Sequence, residues 1–244
     1  MNRAGESTDI RFSIRRFHPE RDEHPRWQEF SVTVRPGMTV LEALVRIREE
    51  QDATLAWRSS CRMGICGSCG MVINGVPRLA CNTQVLEVGR RGLRIEPLWN
   101  FDIVKDLVAD QAPMFDAHAA VQPYLLRDDD RDDARAGSEL QQSTEALVDY
   151  LQFSCCIKCG LCMAACPTVA TDTGYLGPMP LTAAQRYNSD SRDQGMVSRR
   201  DLLEAPGGAF HCHFAGECSR VCPKGVDPAR AIQLLKRNLL RSHR

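Results

Sequence analysis

Apolar and polar residues alternate along Ile10, Arg11, Phe12, Ser13, Ile14 and Arg15, and apolar residues take every second position again at Phe30, Val32 and Val34. This period of two predicts two half-buried strands. Pro36-Gly37 ends the second, and Thr39-x-x-Glu42 forms a capping box ahead of the apolar stripe Leu41, Leu44 and Val45. Together these predict a short helix to about Glu50. The stretches 71–73 and 76–80 flank Asn74-Gly75, the signature of a type I′ hairpin, and Leu93 and Ile95 predict a last strand.

Beyond about Phe101 the strand signal stops. Residues 102–114 read as a helix, 127–137 (RDDDRDDARAG) as a charged solvated loop, 139–153 as a second helix and 181–187 as a third. Asp227-Pro228 supplies an N-cap with Pro at the first helical position, and Ile232, Leu235 and Leu239 mark the inner face of the last helix. The fold class expected is α+β. A β-grasp ferredoxin-type domain over 1–104 comes first, followed by an all-α ferredoxin domain over 105–244.

Bulk properties narrow the function classes. The chain has 244 residues and a formal net charge of zero, which gives no electrostatic reason to expect nucleic acid. Its first residues lack an apolar core and carry Glu6 and Asp9, so neither a secretory signal nor a transit peptide is expected. No apolar run approaches the ~18 residues of a membrane span. A soluble or peripheral protein in a reducing compartment is expected.

The cysteines carry the chemistry. Eleven of the 12 fall into three spacings: Cys61-x4-Cys66-x2-Cys69 closed by Cys81; Cys156-x2-Cys159-x2-Cys162-x3-Cys166-Pro167; and Cys212-x5-Cys218-x3-Cys222-Pro223. The first is the plant-type 2Fe–2S spacing and the second the bacterial ferredoxin run. Laid on the third, that run puts Ala215 where its second cysteine belongs. In two-cluster ferredoxins the fourth cysteine of each run serves the other cluster. Cys156, Cys159, Cys162 and Cys222 then form a full 4Fe–4S set. Cys166, Cys212 and Cys218 form a three-thiolate set facing a methyl group, which predicts 3Fe–4S. Zinc is the alternative metal, but it favours four closed ligands in C-x2–4-C halves. Disulfides need an oxidising compartment. Glycines 64, 67 and 70 are expected to let backbone N–H groups close on the sulfurs, with ordinary turn glycine as the other reading.

The stretches SCRMGICGSCGMVINGVPRLAC (60–81), CIKCGLCMAACP (156–167), RYNSDSRDQG (186–195) and CSRVCPKGVDP (218–228) strongly resemble the iron–sulfur subunit of succinate dehydrogenase and fumarate reductase. The resemblance runs over nearly the whole chain in the same order. It implies a relay from the FAD of a flavoprotein subunit through 2Fe–2S, 4Fe–4S and 3Fe–4S clusters to a quinone near membrane anchor subunits. It also implies a peripheral place on the cytoplasmic face of a bacterial inner membrane. It carries over the cluster ligands at every matching position, with a non-cysteine at Ala215, and places Pro167, His213, Gln233 and Lys236 near the quinone.

Two positions depart from the family pattern. Many succinate dehydrogenases have a Trp shortly after the Cys-Pro matched here by Cys166-Pro167, where this chain has Thr168-Val169-Ala170, closer to the fumarate reductases. Cys155 stands one residue too early for the motif and reads as a spectator thiol, with a redox or alternative-ligand role as the alternative. His213 also reads as an ordinary loop histidine, Lys236 as a solvated charge, and Arg237 and Arg241 as contacts for lipid phosphates. With no flavin motif and no dicarboxylate site, the chain is not expected to be catalytic alone. The rival classes are the subunit of a soluble fumarate reductase, a free ferredoxin, and a structural metal-binding protein. The first would be expected to carry a further cysteine-rich domain beyond Arg244, and the second an acidic surface.

Overall fold

The computed structural model describes residues 7–127 and 139–241. They divide into two compact units, one of residues up to Gln111 with Ile157–Ala165, the other of Ala112–Cys156 with the chain from Cys166 onward. The charged stretch expected to be a loop at 127–137 lies, after Arg127, outside the described residues.

The first unit is built on a five-stranded mixed sheet. Its strands are β1 (Thr8–Arg16), β2 (Arg26–Val34), β3 (Gly70–Ile73), β4 (Val76–Leu79) and β5 (Leu93–Glu96), ordered β2-β1-β5-β3-β4. β1 and β2 pair antiparallel with Phe12 opposite Phe30, so the alternating Ile10, Phe12, Ile14 and Phe30, Val32, Val34 all point into one core. β5 pairs parallel to β1. Asn74 and Gly75 both have positive φ, 48° and 74°, as a type I′ turn demands. The helix α1 (Val40–Glu50) starts at the expected capping box: Thr39 Oγ1 accepts from the Glu42 N–H, and Glu42 Oε2 from the Thr39 N–H. Leu41, Leu44 and Ile47 face inward. A one-turn helix α2 (Val85–Val88) precedes β5.

The helix expected over 102–114 is not there. A small hairpin, β6 (Ile103–Lys105) and β7 (Val108–Ala109), turns at Asp106 with φ +49°, and helix α3 begins only at Ala112 and runs to Ala120. The cause lies about 90 residues away in sequence. Asp106 is buried and accepts from Arg16 Nε at 2.9 Å, from the Phe17 N–H at 3.0 Å and from the Ala56 N–H at 3.0 Å. Arg16 also reaches Asp52 at 2.7 Å and Gln28 at 2.7 Å. This network fixes the turn against local helical preference.

The second unit is helical. Besides α3 it holds α4 (Thr144–Ser154), then α6 (Pro167–Thr171), α7 (Pro178–Asn188), α8 (Met196–Glu204), α9 (Glu217–Arg220) and α10 (Pro228–Arg241); the short α5 (Leu161–Ala164) belongs to the first unit. The expected helices at 139–153 and 181–187 are α4 and α7, with shifted ends. Asp227 caps α10 as expected, its side chain accepting from the Arg230 N–H at 2.9 Å. Leu181, Leu203, Ile232, Leu235 and Leu239 form the main core between α7, α8 and α10. Each fully buried aliphatic chain there contributes roughly 1.5–3 kcal/mol.

Arg199, 1% exposed, ties this unit together. It donates to the carbonyls of Val121 at 3.0 Å and Tyr124 at 2.8 Å, to Asn188 Oδ1 at 2.8 Å and bidentately to the buried Asp193 carboxylate at 2.7 and 3.0 Å. Arg199→Met leaves that carboxylate buried without its cation, a loss of about 3–5 kcal/mol. The denaturant midpoint followed by far-UV circular dichroism should fall sharply, and an unchanged midpoint contradicts this role.

Candidate metal centres

The loop between α1 and β3 wraps four thiols. Cys61, Cys66 and Cys69 lie on it, and Cys81 sits on a 3-10 turn directly after β4. Positive φ at Arg62 (57°), Gly64 (70°) and Gly67 (77°) curls the backbone so that its amides point inward. The N–H groups of Ile65 and Cys66 lie 3.3 and 3.2 Å from Cys61 Sγ. Gly64 N–H lies 3.2 Å from Cys81 Sγ, and Cys81 N–H 3.4 Å from Cys69 Sγ. Such convergent amides form a cradle for anionic sulfur. The Ser68 hydroxyl, with the Cys61 amide, pulls the exposed Cys66 thiol down to about 6. Burial pushes the Cys69 thiol up to about 12. The four thiols and their amides fit a 2Fe–2S cluster. Met63 and Ile65 project from the loop 71% and 54% exposed.

Cys159 and Cys162, also in this unit, flank Gly160 at the entry to α5. Asn100 Nδ2 anchors α5 through the carbonyls of Met163 at 2.9 Å and Ala164 at 3.1 Å. Gln111 Nε2 donates to the Cys159 carbonyl at 3.4 Å. Gly67 touches Cys159 directly: a Cβ at position 67 would lie 2.7 Å from Cys159 Cβ and 2.9 Å from its Cα. The glycine therefore allows a close approach as well as a turn. The partners in sequence of these two cysteines, Cys156 and Cys222, lie in the second unit and pack against Tyr150, Phe153, Val226 and Ala231.

The remaining thiols gather within the second unit. Cys166 caps α6, Cys212 follows the turn Ala209–His211, and Cys218 is buried in α9. With Tyr175 and the methyl of Ala215 they line one small cavity of about 20 Å³. Phe214 N–H lies 3.4 Å from Cys212 Sγ. Burial pushes the Cys218 thiol up to about 11. Burial, then the thiols of Cys212 and Cys166, hold the Tyr175 phenol far above its usual range. Three sulfurs and a methyl around one cavity match the donor set of a three-iron cluster. Among the described residues no three His, Cys, Asp or Glu side chains are gathered closely enough for a single ion.

Of the four residues expected near a quinone, one lines this cavity, and the others lie beside Cys212 or on α10. Pro167 lines it and opens α6. Lys236 Nζ donates to the Cys212 carbonyl at 2.9 Å. His213 is exposed, its ring centroid 5.7 Å from that of His211, which pairs with Asp172 at 2.9 Å. Gln233 lies on α10 one turn before Lys236, its side-chain nitrogen buried with no hydrogen-bond partner among the described residues. Cys155 ends α4 exposed, its thiol 3.7 Å from the Leu151 carbonyl. Tyr175, Asn100 and Gln111 escaped sequence reasoning, since none lies in a cysteine motif.

Known proteins resemble the chain along most of its length. A "2Fe-2S iron-sulfur cluster binding domain" family matches residues 11–116, and a "4Fe-4S dicluster domain" family matches residues 152–226. A fumarate reductase iron-sulfur subunit of Mycobacterium tuberculosis is 44% identical over 93% of this chain and 91% of its own length. A mitochondrial succinate dehydrogenase [ubiquinone] iron-sulfur subunit of Candida glabrata is 40% identical over 93% of this chain and 90% of its own. A chain of the Mycobacterium smegmatis Sdh1 complex in the apo form shares the fold, with a TM-score of 0.84 over 97% of this chain and 98% of its own at 23% identity.

Gly67→Ala tests the close approach. Gly75→Ala is its control, because Gly75 also has positive φ but a Cβ there meets nothing within 4 Å. Both variants carry the left-handed strain of about 1–2 kcal/mol. Only Gly67→Ala should also lose bound iron and the visible absorption of the 2Fe–2S centre. Equal losses in the two contradict the role of the contact.

Proposed function

The chain belongs to the family of fumarate reductase and succinate dehydrogenase iron–sulfur subunits, and from that premise we infer that it relays single electrons between the FAD of a flavoprotein subunit and a membrane quinone. It is an electron-transfer subunit of an oxidoreductase complex, carrying 2Fe–2S and 4Fe–4S clusters. The clusters supply one-electron redox chemistry. In this reading residues 1–104 are the β-grasp ferredoxin domain and 105–244 the helical one. Cys61, Cys66, Cys69 and Cys81 hold 2Fe–2S; Cys156, Cys159, Cys162 and Cys222 hold 4Fe–4S; Cys166, Cys212 and Cys218 hold 3Fe–4S.

The observation that carries the finer reading is the cavity in which Cys166, Cys212 and Cys218 meet the methyl of Ala215. A methyl group offers no ligand to a fourth iron. The protein's own residues stabilise the charge that arrives there: the Phe214 amide faces Cys212 sulfur, and the Lys236 ammonium sits on the Cys212 carbonyl. In this reading the quinone lies at this end of the relay, near Pro167, His213, Gln233 and Lys236. The exposed Met63 and Ile65 on the first loop suit contact with the flavoprotein at the other. Among the described residues no helix is long and apolar enough to cross a membrane, which is compatible with a peripheral subunit held by anchors on the cytoplasmic face. Thr168-Val169-Ala170 in place of a Trp inclines the assignment toward the fumarate reductases.

Ala215→Cys should convert the third centre to 4Fe–4S, abolishing the oxidised three-iron spin-resonance signal, lowering the potential and slowing quinone turnover. An unchanged three-iron signal in this variant contradicts the ligand assignment. In the flavoprotein–chain pair stripped of its anchor, electrons should pass to artificial dyes but not efficiently to quinone. His213→Ala or Lys236→Ala in the full complex should lower quinone activity and spare dye activity. Untouched quinone kinetics in both variants contradict the site.

A further inference from the structure

Tyr175 precedes α7 and is 5% exposed, packed into the core of Leu181, Leu203 and Ile232. Its ring lies against His211, centroids 5.7 Å apart. Its hydroxyl oxygen is shut off from solvent and has no hydrogen-bond partner at normal distance among the described residues. A buried hydroxyl without an acceptor is destabilising, and a phenylalanine would fill the ring's space without that penalty. The hydroxyl borders the cavity of Cys166, Cys212 and Cys218. A buried water needs two to four polar partners, and the lining, with Pro178, Ala229 and Ile232 beside Thr168 and Glu217, offers few. The acceptors at hand are sulfurs, those of the thiolates and of a cluster held between them.

We propose that the Tyr175 hydroxyl donates a hydrogen bond to a sulfur of the cluster held by Cys166, Cys212 and Cys218, and so raises that cluster's reduction potential. The inference rests on the three-iron reading given above. A donor aimed at sulfur stabilises the extra negative charge of the reduced state more than the oxidised state, which is one of the levers a protein has on such a centre. Other groups placed on these sulfurs include the Phe214 amide at Cys212 and the Ser219 hydroxyl, 4.0 Å from Cys218 Sγ, while Lys236 is engaged with a carbonyl. Tyr175 is thus a positioning and tuning residue at the last one-electron step before the quinone.

The test is a redox titration of the three-iron spin-resonance signal in the intact complex, wild type beside Tyr175→Phe. The variant should keep the shape and intensity of the oxidised signal. At a fixed ambient potential its ratio of reduced to oxidised centres should fall roughly three- to tenfold, the worth of one hydrogen bond, or about 30–60 mV for a one-electron couple. A fluorotyrosine installed at position 175, a stronger donor, should shift the ratio the opposite way; it decides the matter if the Phe variant fails to assemble its cluster. Midpoints unchanged across the series overturn the proposal while leaving the three-iron reading intact. Absence of the three-iron signal in the wild type overturns that reading and the proposal with it.

Discussion

Buried thiolate charge is costly unless something compensates it, and here the compensation comes largely from the backbone. A side-chain cation beside each sulfur would offer a competing charge and a flexible partner. Amide N–H groups are fixed in place and cannot ligate iron. The first loop, passing through left-handed conformations at Arg62, Gly64 and Gly67, brings several of them onto Cys61, Cys66 and Cys81, and Cys69 receives the Cys81 amide from the turn after β4. Cys212 receives the Phe214 amide in the same manner, from a residue with φ +58°. Loops of this kind lack internal ladders, so a rigid scaffold must hold both ends. The sheet and α1 do this in the first unit, and the α7–α10 core does it in the second.

The second constraint is approach. One-electron transfer favours short paths, and Gly67 brings the first loop against Cys159 with no side chain between them. Asn100 and Gln111 hold the segment bearing Cys159, Asn100 through the carbonyls of Met163 and Ala164 at the end of α5 and Gln111 through the Cys159 carbonyl. In the second unit the deleted ligand at Ala215 and the orphaned hydroxyl of Tyr175 border the same cavity. In the reading proposed above, the first limits how many irons the sulfurs can hold and the second tunes how readily they accept an electron.

Much of this was legible in the sequence because it rested on local rules. The Thr39–Glu42 box, the Asn74-Gly75 turn, the Asp227 cap and the alternation in β1 and β2 each specify a structure within a few residues. The cysteine spacings indicated the chemistry for the same reason. The failure at 102–114 is equally physical. Ile103, Val104, Leu107 and Val108 recur at intervals that mimic a helix, yet Asp106 is claimed by Arg16 and by the amides of Phe17 and Ala56. No window around residue 106 contains Arg16. Short helices such as α2, α6 and α9 carry too little periodicity to be seen. Tyr175 was hidden because its surroundings come from segments dozens of residues apart, and only the fold sets its hydroxyl beside three cysteines.

The account stands or falls on how the irons are partitioned. Mössbauer spectroscopy of the anaerobically isolated, 57Fe-enriched complex measures this directly. The prediction is about nine irons in a ratio of roughly two to four to three, the last group behaving as an oxidised three-iron centre. A third centre with four irons, or zinc in stoichiometric amount in place of iron, would contradict it.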